Sequence, residues 1–572
     1  MKKFKAILCI ALALVMVFAL IACNKDNTSS DGTPANTSGG SSGDSSGGGS
    51  SGGGSGGGSS GGGSSGGGSG GGSSGDSQAA GGSNIPKSIT IGVTGWLGRF
   101  LPGMSPNESF PACNAIYDVA FLTDPVTKEF TSTILEDWYF QDDLTFIMKL
   151  KQGIYFSNGD EATAEDLLYS YKSFSERGAV SASGLGNVVD EECKVLDKYT
   201  VQWKLVEPFG RLQSVVVYLF NKSWSQSVGW DSDEWYNPVT SGPYYVHEYV
   251  ADNYMVLRLR ENYWDTSREF GVEEWIIKYY PEASTLYMEL ELGNISLCEI
   301  TANDYSRYVK DGANNVKCQI VNLGVAEVFC MGQEDNPQLE DKAVRLALAH
   351  GVNWEQMGVA SRGDGYMPEN SFIPKESPFY VDVGTYEFNP DKAKQILADA
   401  GYQPGDINLH LYIADSVRER DLSEVLQYFC QQIGINVSID SGDRASYLNA
   451  VAVRGGSDAG FVAHAAGSIN RDPAVVLQFL MIHNFNFVYV ADEKWQQMAH
   501  DVVYNSNYDS RKALYAELAK YTYDEVLVIP YCTSVANIGY RTDVFTQEQI
   551  DRVIYTNNNY WLQRLSLTSE WN

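Results

Sequence analysis

Histidine, paired cysteine and positive charge are what this chain is short of. Six histidines are scattered over 572 residues. There is no HExxH and no paired-histidine spacing, which argues against a zinc site, and no metal ligand is assigned. Seven cysteines lie beyond the first 23 residues: Cys113, Cys193, Cys298, Cys318, Cys330, Cys430 and Cys532. They are far apart and odd in number, without a CxxC, so metal or redox use is not indicated. Cys430 falls in an apolar helical stripe and reads as a small core residue. Lysine and arginine total 41 against 71 acids, a net charge of −30. With no basic stripe to offset it, such a surface repels nucleic acid and anionic lipid, and nucleic acid is not expected as a partner. Catalytic signatures are missing too: no GxSxG, no P-loop, no Cys–His arrangement with supporting context. Acids are too plentiful for a glycosidase-like pair to stand out. No catalytic residue and no cofactor is assigned, and the chain reads as a non-enzyme.

Long apolar runs are equally scarce, with one exception at the start. Lys2, Lys3 and Lys5 precede an apolar stretch from Ile7 to Ile21, too short for a comfortable span. Leu20, Ile21, Ala22 and Cys23 close it. The pattern resembles a bacterial lipoprotein signal (residues 1–22), with Cys23 diacylated as the mature N-terminus. An ordinary signal peptide, or an anchor helix with an incidental cysteine, is the alternative. Two acyl chains suffice for stable anchoring, at about 0.8 kcal/mol per buried methylene. From Asn24 to about Asn84 the chain is almost only Gly, Ser, Asn, Asp and Thr. With no apolar surface to bury, it is expected to remain a flexible coil. About 60 such residues reach roughly 45 Å on average. An artificial fusion linker would read similarly; the intact signal before it and its imperfect repeat favour a natural tether. No later apolar run reaches about 18 residues, so no other membrane span is expected.

The remaining chain, from Ile85 onward, is too long for one simple core and fits two or three lobes. Its elements read as α/β. Residues 88–93 (SITIGV) alternate as a strand. Residues 145–156 read as a hairpin or strand pair about Lys151–Gly153. TAED at 163–166 is a capping-box-like helix start with Asp in place of Glu, opening a helix faced by Leu167, Leu168, Tyr171 and Phe174. Asn389 and Pro390 are an N-cap and first helical position, and Gly401 ends that helix. Residues 407–412 alternate as a strand. Leu422, Val425, Leu426, Phe429 and Ile433 form a helical stripe, and residues 435–439 are the next strand. Strand–helix–strand alternation predicts parallel pairing.

Several segments, in order, resemble the peptide/nickel class (family 5) of extracellular solute-binding proteins of ABC importers. They are LEDWY at 135–139, LTFIMKLKQGIYFSNGD at 144–160 and TAEDLLYS at 163–170. PVTSGPY at 238–244 and RENYW at 260–264 follow, then DKAVRLAL at 341–348, NPDKAKQILADAGY at 389–402 and IGINV at 433–437. Each alone is weak; in this order they are specific. Gly153, Gly159, Gly242 and Gly401 read as turn or helix-end residues. Tyr263 and Trp264 read as packing residues.

The resemblance implies a two-lobed periplasmic-binding-protein-like α/β fold (class II), with an extra subdomain in lobe I and the ligand between lobes. Lobe I would comprise residues 85–112, 236–317 and 538–572, the inserted subdomain 113–235 and lobe II 318–537. The chain would cross between lobes near 321–329 and 529–537. The implied role is capture of a peptide or similar small solute by a lipid-anchored monomer outside the cell, most simply of a Gram-positive bacterium, and delivery to an ABC permease. A signalling receptor, a carrier of an oligosaccharide, opine-like solute or metal complex, and less readily a secreted hydrolase, are the alternatives. In peptide-binding members an aspartate holds the peptide amino group. Here the corresponding stretch carries Ala465 or Ala466, Gly467 and Ser468, so that carboxylate is missing; Asp472 returns only before Pro473. His464 is a ligand candidate or a filled strand position. Arg418 corresponds to a basic residue that clamps a ligand carboxylate in dipeptide-binding members; a solvated loop arginine is the alternative. Trp96 and Arg99 follow the first strand, where ligands tend to lie in α/β folds.

Overall fold

The computed structural model describes residues 85–95, 97–101, 110–123, 130–176, 188, 190–209, 217–310, 315–332, 336–442, 446, 459–463, 473–474, 477, 490–554 and 561–571. The chain divides into two units, Met1–Gly82 and Ser83–Asn572. The first unit, with the expected signal, Cys23 and most of the tether, lies outside the described residues. All described elements belong to the second. Among the described residues no helix is long and apolar enough to cross a membrane.

An eight-stranded mixed sheet is the spine. From one edge its order is Ala459–Ala463, Val316–Met331, Val528–Arg541, Leu297–Ile300, Ser88–Val93, Glu274–Tyr279, Tyr254–Leu259 and Tyr244–Val250. Ser88–Val93 is the predicted first strand. Its alternation buries Ile89 and Ile91, and it runs parallel to Glu274–Tyr279 in unbroken register. The two longest strands, Val316–Met331 and Val528–Arg541, lie side by side and antiparallel. At one end Val316 joins a small core under helices Ala283–Leu292 and Ala302–Lys310. At the other, Phe329, Met331, Ile529 and Tyr531 enter a second large core with Val344, Leu348, Leu411 and Leu426.

That second core contains the predicted strand–helix–strand unit. Ile407–Ala414 and Ile435–Gly442 pair in parallel, joined by the helix Val417–Gln432. Cys430 is wholly buried there. Two motifs explain themselves as ties. Asp341 caps the helix Lys342–Gly351 by accepting from the Ala343 N–H at 2.8 Å. Arg345, one turn on, donates to the backbone carbonyls of Leu339, Glu340 and Glu525. Asn389 caps its helix through the Lys392 N–H at 3.0 Å, as expected.

A four-stranded antiparallel sheet lies within residues 135–204. Here the expected hairpin about Lys151–Gly153 is corrected. Thr145–Leu150 is one strand, paired with Leu135–Asp142 on one side and Thr200–Lys204 on the other. Phe146, Ile147 and Met148 are buried in succession, so both faces of this strand are covered, and its two partners make it a central strand rather than one arm of a hairpin. After it, the chain passes through Gly153 to a bridge between Tyr155 and Glu161. The TAED start holds: Asp166 Oδ2 accepts from the Thr163 N–H at 2.9 Å and the Thr163 hydroxyl at 2.8 Å.

The RENYW segment does more than pack. Tyr263 Oη and Trp264 Nε1 both donate, at 3.0 Å, to the buried carboxylate of Asp118. Burial pushes the Asp118 carboxyl above the usual range, while Arg268, these two donors and Arg260 pull it back. Gly242 likewise does more than turn the chain. It lies in a bend with negative φ, and it also lets two backbones meet. A Cβ there would stand 2.7 Å from the Ile116 carbonyl carbon and 2.8 Å from the Tyr117 nitrogen. Gly153 is the opposite case, with open space around it but φ of 78°. Gly242→Ala should therefore cost more than Gly153→Ala. Overpacking against backbone costs about 1–3 kcal/mol or more, and a left-handed alanine about 1–2 kcal/mol. Urea midpoints of the two variants check the order.

Candidate functional site

The edge strand Ala459–Ala463 leads out of the sheet. It pairs antiparallel with the last residues of Val316–Met331, and its final residue, Ala463, stands opposite Glu327. Glu327 is fully buried in an otherwise apolar run, so its charge needs partners. It has them from three further elements. Arg362, at the end of the helix Trp354–Arg362, forms an ion pair with Oε1. Arg418 donates from Nη2 to Oε2 at 2.6 Å. Hydroxyls of Ser361 (3.1 Å), Tyr531 (3.0 Å) and Ser534 (2.7 Å) donate to the same carboxylate. The Cys532 thiol lies 3.5 Å away. Burial pushes that thiol up to about 11, so it stays protonated at neutral pH and acts as a weak donor rather than a nucleophile.

Arg418 is placed differently from a loop arginine. The helix begins at Val417, with Ser416 as its N-cap. Arg418 is thus in the first turn, its side chain one-third exposed. Besides Glu327 it donates from Nε to the Ser361 hydroxyl at 3.1 Å and from Nη1 to Glu419 at 3.0 Å. Burial lowers the Arg362 guanidinium from its ordinary value, and the nearby charge of Arg418 adds to this. Two arginines thus face Glu327 and Glu419, and the cluster is close to neutral.

The stretch 464–468 follows directly on Ala463, and Arg418 is bound to the carboxylate opposite Ala463. His464, Ala465, Ala466, Gly467, Ser468 and Trp96 themselves lie outside the described residues. Arg99 is half-buried in the 97–101 loop after the first strand. That loop is pinned by the Phe100 N–H on the Trp235 carbonyl (2.9 Å) and the Tyr249 hydroxyl on the Leu97 carbonyl (2.7 Å). Glu327 is the residue that sequence reading missed. The available signal was an acid inside the apolar run 325–331 (VAEVFCM), which is costly unless paired. Among the described residues no three of His, Cys, Asp and Glu gather as a metal ion would need.

Two long strands thus run through three cores, with a buried charged cluster opposite the last residue of an edge strand. Residues 129–482 match the family model of bacterial extracellular solute-binding proteins, family 5. The chain belongs to this family. Family 5 proteins bind solutes and catalyse no reaction, and the chain is a binding protein rather than an enzyme. It is 27% identical over 319 residues to the oligopeptide-binding protein AppA of Bacillus subtilis, covering 51% of this chain and 58% of AppA. The matched region thus spans little more than half of that relative. In fold it is similar to the ABC transporter substrate-binding protein CtaP of Listeria monocytogenes (TM-score 0.69, 20% identity, 80% of this chain and 94% of CtaP). It is equally similar to NikA of Brucella suis, solved with Fe(III)-EDTA (TM-score 0.69, 18% identity, 80% and 96%). These likenesses establish the two-lobed α/β fold of a family 5 protein.

Removing Glu327 should strand two arginines in a desolvated site. Glu327→Ala is expected to lower the unfolding free energy by about 3–5 kcal/mol. Arg418→Ala should cost less, because its side chain is partly hydrated. Denaturant melts of both variants test the ranking.

Proposed function

We propose that this protein is a lipid-anchored, extracytoplasmic binding protein that captures a peptide or similar small solute between two lobes and delivers it to an ABC importer permease. Its position in family 5 and its similarity to an oligopeptide-binding relative carry the reading. Lobe I is assigned residues 85–112, 236–317 and 538–572, the inserted subdomain 113–235, and lobe II 318–537. The chain crosses between lobes within the two long strands, and closure is a hinge motion that excludes water around the solute. The working form is a monomer, held by acylated Cys23 at the outer face of the membrane, with residues 24–84 as leash.

The solute lies beside the end of the strand Ala459–Ala463. Contacts are assigned to Trp96, Arg99, Arg418 and residues 464–468, that is His464, Ala465, Ala466, Gly467 and Ser468. A guanidinium has five N–H donors, and Arg418 spends three on Glu327, Ser361 and Glu419. The other two are assigned to an anionic group of the solute. With Ser468 where peptide-binding members carry an aspartate, the amino group of a peptide would meet a hydroxyl or backbone carbonyls instead of a carboxylate.

Native mass spectrometry of the protein as purified, followed by denaturing analysis of what it carries, decides the cargo. A series of co-purified peptides is expected. A single sugar or metal chelate without peptide would keep the carrier role and overturn the peptide assignment. Cys23→Ser is expected to move the protein from the membrane fraction to the medium. Retention in the membrane would refute lipid anchoring through that residue.

A further inference from the structure

The two long strands are not evenly paired. Residues 316–322 run against 535–541, and residues 326–330 against 528–533, with Tyr531 an extra residue between the partners of Glu327 and Val328. Between these runs Leu323, Gly324 and Val325 stand opposite Ser534 alone. Gly324 has φ of 62°, and its N–H donates to Asn322 Oδ1 at 2.6 Å. Beside the first run lies Leu297–Ile300; beside the second lies Ala459–Ala463. A bulge bends a strand and interrupts its ladder. This is therefore where the two ends of the sheet can turn against each other with the fewest hydrogen bonds lost.

One loop, 366–384, grips both sides of this break. On one strand the Thr533 N–H donates to the Met367 carbonyl at 2.9 Å, and the Thr533 hydroxyl to Glu369 Oε2 at 3.1 Å. On the other, Asn322 Nδ2 donates to Glu376 Oε1 at 2.6 Å. Asn322 is the last residue of the first paired run, and Thr533 is paired at the start of the second. Glu369 is 4% exposed. Burial pushes its carboxyl up to about 7; Lys375, the Asn370 N–H and the Thr533 hydroxyl pull it down, and Glu376 pushes it further up. The loop also carries Tyr380, whose hydroxyl donates to Asn370 at 2.8 Å, and Asp382, which accepts from Asn370 at 2.7 Å. From the helix Tyr508–Asp524, the Arg511 guanidinium covers the ring of Phe379 at 5.4 Å.

We propose that the 366–384 loop is a strap across the interlobe hinge, and that protonation of Glu369 sets how firmly it holds. This rests on the two-lobed carrier reading above. As a neutral acid, Glu369 tolerates burial in the strap. As a carboxylate it gains from the Thr533 donor, but burial and the neighbouring Glu376 cost it more, and it regains hydration when the strap lifts from the strand. Engaging the strap thus takes up one proton. Because the engaged carboxyl has the higher pKa, the grip is full below the ordinary carboxylate value of about 4.5 and fades as pH rises to about 7. Above that it changes no further.

Hydrogen–deuterium exchange of the full exported chain, without added solute, tests this. Peptides covering 320–326 and 531–535 are followed from pH 5 to 8.5, after correction for intrinsic exchange. Their opening should rise about tenfold per pH unit up to about pH 7 and then level off. Glu369→Gln should remove the slope, and Glu376→Gln should keep it with its plateau at lower pH. A flat wild-type profile, or an unchanged slope in Glu369→Gln, would overturn the strap. Should Glu369→Gln not fold, an unmoved plateau in Glu376→Gln would overturn it equally. The cargo measurement above is independent, so a failed strap leaves the carrier reading standing and a failed carrier reading leaves the exchange profile intact.

Discussion

The antiparallel contact between Val316–Met331 and Val528–Arg541 is what the rest of this structure depends on. It pairs chain segments some two hundred residues apart, and each strand serves more than one core along its length. Apolar burial ties the pair to a different core near each end, while a third core runs along both strands. The backbone ladder fixes the register between them. A carrier that must open and close needs two rigid bodies and a defined connection. Two paired strands whose ladder is broken at residues 323–325, and again by one residue at Tyr531, meet that requirement, because bending falls where the ladder is already broken.

Buried charges act here as registers rather than as reservoirs of stability. Glu327 gathers two arginines and three hydroxyls from the neighbouring long strand and two helices. Asp118 gathers the tyrosine and tryptophan of the RENYW segment. Arg345 collects three backbone carbonyls. A buried ion pair is often no better than apolar packing in net energy, but breaking one is expensive. Each cluster therefore penalises any arrangement that fails to bring all its members together. This explains why several family motifs are polar and yet lie inside the molecule.

Much of the fold was legible in local pattern. Alternation located Ser88–Val93 and Ile407–Ala414, and the apolar stripe with its closing glycine located Val417–Gln432. Caps at Thr163 and Asn389 were readable because an N-cap is a short-range bond between neighbours in sequence. The hairpin expectation about Gly153 failed for the complementary reason. Phe146, Ile147 and Met148 form a central strand whose partners lie at 135–142 and 200–204, and nothing in the run itself names them. Gly242 does sit in a bend, but sequence cannot show that it also lets two backbones touch. Arg418 was picked out, but its partner Glu327 lies 91 residues away.

By itself, then, the sequence determined whatever depends on neighbouring residues: three of the helices, three of the strands, the acidic character, the absence of catalytic motifs, and the ordered motifs that resemble family 5. Their physics is short-ranged, and period and capping carry it. Tertiary structure alone decided which strands meet, where their pairing is interrupted, and which acid receives Arg418. It also decided that one loop would touch Asn322 and Thr533 on either side of that interruption. Those outcomes follow from register and burial, which exist only once distant segments have been brought together and water has been removed from between them.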